Sequence, residues 1–430
     1  MSDYATFLAR KQRVWTGHAI EPQPIPSQLF PFQSSIVRWA MRKGRAAVFA
    51  DCGLGKSFMQ LAWANAVPGR VLILAPLCVA EQTVGEGAKL GIPVTYARGQ
   101  AGGGDSKIVI TNYERLDNFD VSAFAGVVLD ESSILKSFDG KTRTKLIAAF
   151  GRTPYRLCCT ATPSPNDIAE LANHAEFLGL QSRAEFLATW FVHDDQGWRM
   201  KRHARQAFFR WLASWAVAFR RPSDLGFSDD GFVLPPLRIT EHIIESGQVE
   251  GVLFPELGTR GISGRLAARR GSLNDRVEAV ATLVGAQDDA ALIWCGLNTE
   301  SDALAERLDG AVNVEGKDDY EVKKRAVERF VAGDIRTLIT KLSILGFGMN
   351  FQHCARMVFC GLGDSYESYY QGIRRCWRFG QKRAVEATVV VSEAERVVVE
   401  NVKRKEQNAD AMASELLAAM RDFEREELSA

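Results

Sequence analysis

The sequence predicts an α/β chain: two parallel-sheet lobes, a helical insertion between them, and a helix at the C-terminal end. Three observations carry that prediction. Short apolar runs alternate with helical patterns from residue 46, a second series of the same kind begins at residue 291, and a tryptophan-rich basic stretch breaks the rhythm between them. Runs that are apolar on both faces and separated by crossovers indicate parallel strands covered on both sides. A chain of 430 residues exceeds what one core ordinarily serves, and a hydrophobic content of 46% is enough to build two.

The first series places strands at 46–50, 71–75, 108–111, 127–129 and 157–160, the second at 291–295, 337–340, 357–360 and 387–391. Lobes are therefore expected at 1–178 and 241–391, with 179–240 as insertion and linker and 392–430 as a helical tail. The insertion carries Trp190, Trp198, Trp211 and Trp215 and closes on the stiff Leu234-Pro235-Pro236. In the tail, Met412, Leu416, Met420 and Phe423 recur at three- and four-residue spacing. Such a stripe packs on a lobe or, as its other use, on a second copy of the chain.

A formal charge of +1 gives no global basic signal, so any nucleic-acid binding has to come from a local groove. The eight cysteines are scattered, several within apolar runs, and none has the spacing of a zinc site. They are expected to be reduced and mostly buried. The first residues lack the apolar core of a signal peptide and no run reaches membrane-spanning length, so a cytoplasmic protein without membrane contact is expected.

Three strings carry chemistry. In A-D-C-G-L-G-K-S at 50–57 a strand ends, a glycine turn follows and a helix opens. Gly53 and Gly55 let backbone N–H groups close on phosphate oxygens, Lys56 reaches the β and γ phosphates, and the Ser57 hydroxyl is a ligand for Mg²⁺. Ala50 stands where that pattern has its first glycine. Asp130 and Glu131 follow V-V-L and so end a parallel strand at its carboxyl edge, where α/β sheets bind ligands. Asp130 is read as holding Mg²⁺ through water and Glu131 as the base for the attacking water. In Q-G-I-R-R-C-W-R-F-G-Q at 371–381, Arg374, Arg375 and Arg378 are expected on one helix, where residues three and four apart share a face. Arg375 and Arg378 are assigned to charge stabilisation in phosphoryl transfer. For Arg374, a solvated or nucleic-acid-facing charge is an equal reading.

From Arg199 to Arg221 the chain carries Arg199, Lys201, Arg202, Arg205, Arg210, Arg220 and Arg221 and no acidic residue. That is an electrostatic footprint for a phosphate backbone, with Arg202 and Arg205 as candidate contacts. The interleaved Phe208, Trp211, Leu212, Trp215 and Phe219 fall on one helical stripe, which favours a buried face over a base-stacking platform.

Taken in order and spacing, these strings resemble those of superfamily 2 helicases, most closely the Swi/Snf-type translocase branch, over about residues 28–391. P-F-Q at 31–33 resembles the segment whose glutamine, here Gln33, reads adenine. L-I-L-A-P-L at 72–77 and T-N-Y-E at 111–114 resemble strand-tracking motifs, and T-A-T-P-S-P-N-D at 160–167 the motif coupling hydrolysis to movement. L-I-W-C at 292–295 and G-F-G-M-N at 346–350 match motifs of the second lobe. F-R-R-P at 219–222 followed by 234–236 resembles the Swi/Snf bridge. The wording G-F-G-M-N-F-Q-H-C and S-Y-E-S-Y-Y-Q also resembles short stand-alone members from bacterial viruses, whose setting would be the host cytoplasm. Two positions depart: Ser133 stands where the family has His or Asp, and Trp377 where it commonly has His.

The resemblance implies two RecA-like lobes, ATP and Mg²⁺ bound between them, and nucleic-acid-stimulated hydrolysis driving movement along double-stranded DNA. It implies nucleic-acid contacts at Pro76, Thr111, Asn112, Thr340 and Lys341. A monomer is expected. Single-stranded DNA or RNA is the other substrate class. A strand-separating helicase and a nucleotide-gated binding subunit of a larger assembly are the other readings.

Overall fold

The computed structural model describes residues 17–76, 79–136, 140–195, 197–245, 269–346 and 349–429. Leu77 at the end of L-I-L-A-P-L, together with Phe347 and Gly348 of G-F-G-M-N, lies outside them. The chain divides into two compact units: the described residues through Phe232 joined by those from Asn408 onward, and Val233–Gln407.

In the first unit the strands are β1 (Arg45–Ala50), β2 (Val71–Ala75), β3 (Thr95–Tyr96), β4 (Ile108–Asn112), β5 (Gly126–Asp130), β6 (Tyr155–Thr160), β7 (Phe191–Asp194), β8 (Gly197–Met200) and β9 (Ala216–Phe219). Seven of them form one parallel sheet in the order β3-β4-β2-β5-β6-β1-β9. The runs V-L-I-L-A, I-V-I-T-N and G-V-V-L-D of β2, β4 and β5 are buried at every position, as a sheet covered on both faces requires. Each carboxyl end releases the chain into a loop or helix on one edge of the sheet. Both the phosphate loop after β1 and the acidic pair ending β5 therefore arrive on that edge.

The insertion departs from its helical reading. β7 and β8 form an antiparallel hairpin, and the basic aromatic helix covers only Arg205–Ala213. The chain then straightens, and Ala216–Phe219 becomes the seventh strand of the sheet, with Ala47 opposite Ala216 and Ala50 opposite Phe219. The helical stripe therefore stops short of Trp215 and Phe219, because W-A-V-A-F is an apolar run that β1 pairs as a strand. Its burial is as expected: Phe208, Leu212, Trp215 and Phe219 have essentially no exposure. Trp190 and Trp211 meet Phe186 and Phe208 in edge-on and tilted contacts, ring centroids 5.6–6.4 Å apart; Trp190 and Trp215 are buried in the core, and Trp198 and Trp211 pack partly buried against it.

The C-terminal helix spans Arg396–Ser429. Its stripe Met412, Leu416 and Met420 is buried in the first unit's core. Met412 Sδ receives the Ser164 hydroxyl at 2.8 Å, and Met420 Sδ lies 3.4 Å from the Ala218 amide. The Phe423 side chain lies outside the described residues.

The second unit holds β10 (Leu237–Ile244), β11 (Ala291–Cys295), β12 (Val312–Val314), β13 (Thr337–Lys341), β14 (Arg356–Cys360) and β15 (Val385–Ser392), a six-stranded parallel sheet ordered β10-β15-β14-β11-β13-β12. β10 pairs with β15 over eight residues. At the carboxyl edge a buried ionic cluster joins Arg269 and Arg276 to Glu300 and Glu395. Glu300 also accepts from the amides of Gly296 and Leu297 at 2.8 and 3.0 Å, anchoring the loop that follows β11. The seven described cysteines are buried, and none forms a disulfide among the described residues. Among the described residues no helix is long and apolar enough to cross a membrane.

Candidate nucleotide site and nucleic-acid-facing residues

The phosphate loop runs from β1 into the helix Lys56–Ala66. Gly53 and Gly55 have φ of +86° and +77°, a region that a side chain makes costly. At Gly55 a Cβ would also come within 2.3 Å of the Gln33 amide nitrogen. Gln33 is 4% exposed; its Nε2 donates to the Leu54 carbonyl at 3.0 Å and its Oε1 accepts from the Phe30 amide at 3.0 Å. The glutamine thus braces the loop from the Pro31–Lys43 helix. Lys56 Nζ donates to the carbonyls of Ala50 and Asp51 at 2.9 and 3.3 Å. Ser57 follows on the first turn of the helix and is partly exposed.

Asp130 is buried, and Gln60 Nε2 donates to its Oδ1 at 2.6 Å. Gln60 stands one helical turn after Lys56, so the helix that presents the lysine also holds the carboxylate. Burial and the neighbouring Glu131 charge raise Asp130 to about 7, opposed by Gln60 and Lys56. Glu131 has φ of +54°, the one non-glycine residue with positive φ among those described. Thr160, first residue of T-A-T-P, directs its hydroxyl to Glu131 Oε2 at 3.5 Å and accepts from the Thr162 amide at 3.1 Å. Among the described residues, Ser133 Oγ approaches the Glu131 carbonyl alone, at 3.5 Å. Ser132, one residue earlier, pairs with the buried His174 Nε2 at 3.1 Å.

In the second unit the arginine helix is Tyr366–Cys376. It contains Arg374 and Arg375 but ends before Arg378, because the chain leaves helical geometry at Trp377, whose indole donates to the Pro235 carbonyl at 2.7 Å. Arg375 is 4% exposed and donates to Gln371 O at 2.9 Å, Gln371 Oε1 at 2.7 Å and Met349 O at 3.1 Å. Arg378 reaches the same Met349 carbonyl at 3.2 Å, so the two share an anchor although only one is helical. The solvated reading of Arg374 is overturned: it is 2% exposed and lies over the Trp377 ring at 4.8 Å.

The side chains of Thr111, Asn112 and Thr340 are buried, and the Thr340 hydroxyl donates to Val314 O at 3.0 Å. Pro76 and Lys341 are partly exposed, and Lys341 contacts Asn298 Oδ1. Arg202 is exposed. Arg205 forms a two-pronged pair with Glu415, its Nε 2.6 Å from Oε2, and Arg220 meets Asp410 at 2.5 Å. Arg199 meets Asp194 at 2.9 Å. The footprint without acidic residues in sequence is thus supplied with them from β7 and the C-terminal helix.

Three residues at the site escaped sequence reading. Gln60 had a signal, its four-residue offset from Lys56. Tyr113, whose hydroxyl donates to Asp130 O at 2.7 Å, and His174 had none, since their partners lie 17 and 42 residues away.

Comparison with known proteins matches residues 275–380 to the helicase conserved C-terminal domain. No curated protein matches the chain. Among solved structures, the Sulfolobus solfataricus SWI2/SNF2 ATPase core in complex with dsDNA is similar, at 16% identity and a TM-score of 0.43, covering 92% of this chain and 95% of that one. The matched segment runs from the Leu273–Gly285 helix, which precedes β11, through Arg374, Arg375 and Arg378, and that part of the chain is similar to the helicase C-terminal domain.

Proposed function

We propose that this protein is a DNA translocase of the Swi/Snf type, which hydrolyses Mg-ATP to move along double-stranded DNA. The observation that carries the reading is the Gln60 bridge: one helix presents Lys56 and Ser57 at its start and grips Asp130 a turn later. Phosphate loop and acidic pair are thereby held as a single site. The positive-φ glycines leave the room a polyphosphate needs, and the Ser57 hydroxyl with the Asp130 carboxylate suits a hard cation that keeps several waters. When bound, Mg²⁺ would neutralise charge on the phosphate oxygens.

In this reading Lys56 leaves its two carbonyl partners for the β and γ phosphates, and Glu131 orients and deprotonates the attacking water. Thr160 links that carboxylate to the T-A-T-P segment, the connection that Ser133 does not make. Arg375 and Arg378, both held on the Met349 carbonyl, are the groups that stabilise charge developing on the transferred phosphoryl group. Gln33 serves the site through the loop it braces. Of the nucleic-acid-facing positions, Pro76, Lys341 and Arg202 offer accessible side chains and Arg205 becomes available on leaving Glu415. Thr111, Asn112 and Thr340 would act through their backbone groups.

The test is ATP turnover with duplex DNA, single-stranded DNA and RNA side by side, followed by displacement of a triplex-forming strand and unwinding of a forked duplex. Duplex-stimulated turnover with triplex displacement and an intact fork is expected. Unwinding without displacement would make the protein a strand-separating helicase, and very slow turnover at saturating nucleic acid would make it a nucleotide-gated subunit.

A further inference from the structure

Glu131 holds a backbone conformation that costs a side-chain-bearing residue about 1–3 kcal/mol, and such outliers persist only where their surroundings over-determine them. Two bonds do so from either side. On the N-terminal side, the Tyr113 hydroxyl donates to the Asp130 carbonyl at 2.7 Å; Tyr113 follows β4 directly and reaches across β2 to the end of β5. On the C-terminal side, Ser132 Oγ meets His174 Nε2 at 3.1 Å, and the Leu171–Leu178 helix that carries His174 also secures the rest of the turn, with Asn173 Nδ2 2.7 Å from Leu135 O. His174 has no measurable exposure and packs edge-on against Phe49 of β1, ring centroids 5.5 Å apart. Its Nδ1 has no hydrogen-bond partner among the described residues. A proton on Nε2, donated to Ser132, is therefore the tautomer that leaves no buried N–H orphaned.

We infer that Tyr113 and His174 are positioning residues for Glu131, clamping the peptides on each side of it so that its carboxylate is held toward the nucleotide site. The inference rests on the reading of Glu131 as the group that activates water. Neither residue touches a reacting atom. Each acts through a backbone carbonyl or a serine hydroxyl, and the hydrogen bonds they make go to Asp130 and Ser132 rather than to Gly53, Gly55 or Lys56. Their signature is a fall in turnover without a fall in nucleotide affinity.

The experiment compares Glu131→Gln, Tyr113→Phe, Ser132→Ala, His174→Leu and His174→Gln in the full chain, measuring kcat and KM for ATP with saturating duplex DNA, equilibrium binding of a fluorescent ATP analogue, and Tm. Glu131→Gln should abolish turnover; if it does not, the reading of the site fails and the clamp with it. Given that loss, Ser132→Ala and His174→Leu should each lower kcat about tenfold, with analogue affinity and KM within about twofold of the parent. Ser132→Ala and His174→Leu combined in one chain should be no worse than either alone, since both remove the same bond. His174→Gln, which restores a donor near the Nε2 position, should recover most of the rate, and Tyr113→Phe should cost several-fold in kcat alone. Parental kcat in Ser132→Ala, or an equal fall in affinity and rate across the set, would overturn the clamp while leaving Glu131 in its role. Ser132→Ala is mild enough to keep the test open should His174→Leu fail to fold.

Discussion

Two arginine-rich stretches, 199–221 in the first unit and 374–378 in the second, look alike as sequence, and the structure treats them in opposite ways. In the first, Arg199, Arg205 and Arg220 stand at the surface and meet Asp194, Glu415 and Asp410. In the second, Arg375 is buried, and its hydrogen bonds go to two carbonyls and an amide oxygen. Neutral acceptors fix a guanidinium without cancelling its charge, whereas a carboxylate does both. A basic run in sequence is thus no measure of available charge; what counts is the charge of whatever holds it.

The largest effect expected from this contrast is on catalysis. Arg375→Ala should lower duplex-stimulated turnover on the order of 10³-fold or more, the scale of an arginine that stabilises phosphoryl-transfer charge. Arg375→Lys should rescue little, because a point charge cannot reproduce the two-pronged grip on Gln371 and Met349. Phosphate release measured beside circular dichroism checks it, and turnover within tenfold of the parent would break the distinction between the stretches.

Next in size is the attachment of the C-terminal helix. Leu416 has no measurable exposure in the first unit's core, so Leu416→Ala should cost about 2–5 kcal/mol in denaturant unfolding. A loss below about 1 kcal/mol would mean that the ion pairs of Glu415 and Asp410, rather than the apolar stripe, hold the helix.

Burial sets charge state at His174 too, where it pushes the imidazole down to about 3 from an ordinary 6.5. Above 6.5 the ring is neutral whether the chain is folded or not, and stability is intact. Below it the unfolded chain takes up a proton that the folded one refuses, so stability falls as pH drops toward 3. Between pH 6.5 and 5 the loss from this residue is roughly 1.6 kcal/mol. Unfolding of the parent and of His174→Gln across that range should diverge accordingly, the variant showing the flatter acid limb.

The smallest effect sharpens the comparison from the surface side. Removing Asp410 and Glu415 together should change stability by no more than about 1 kcal/mol per pair, since both pairs are solvent-exposed. It should also release Arg205 and Arg220, tightening duplex binding and steepening its salt dependence by up to about two phosphate contacts. An unchanged salt slope would remove the 199–221 stretch from the nucleic-acid surface.

Much of this was legible before the fold was known. Every strand expected from an apolar run is present, because residues such as V-L-I-L-A bury both faces without needing a particular neighbour. The phosphate loop was legible for a related reason: Gly53, Gly55, Lys56 and Ser57 act within a single turn, and the conformations they need are local properties of those residues. By contrast, W-A-V-A-F continues a helical spacing, and only the edge of β1 converts it to the strand β9. Arg378 was expected on the helix with Arg375 for want of the Trp377–Pro235 bond that ends it.

The strands of the two parallel sheets that come from apolar runs, the cradle and the acidic pair all follow from periodicity and short-range conformational preference. The tertiary structure decided which charges are paired and what steadies Glu131. Tyr113, His174, Glu415 and Asp410 lie 17 to 210 residues from the groups they hold. Pairing at that range depends on which edges and faces the fold brings together, and no local pattern encodes it.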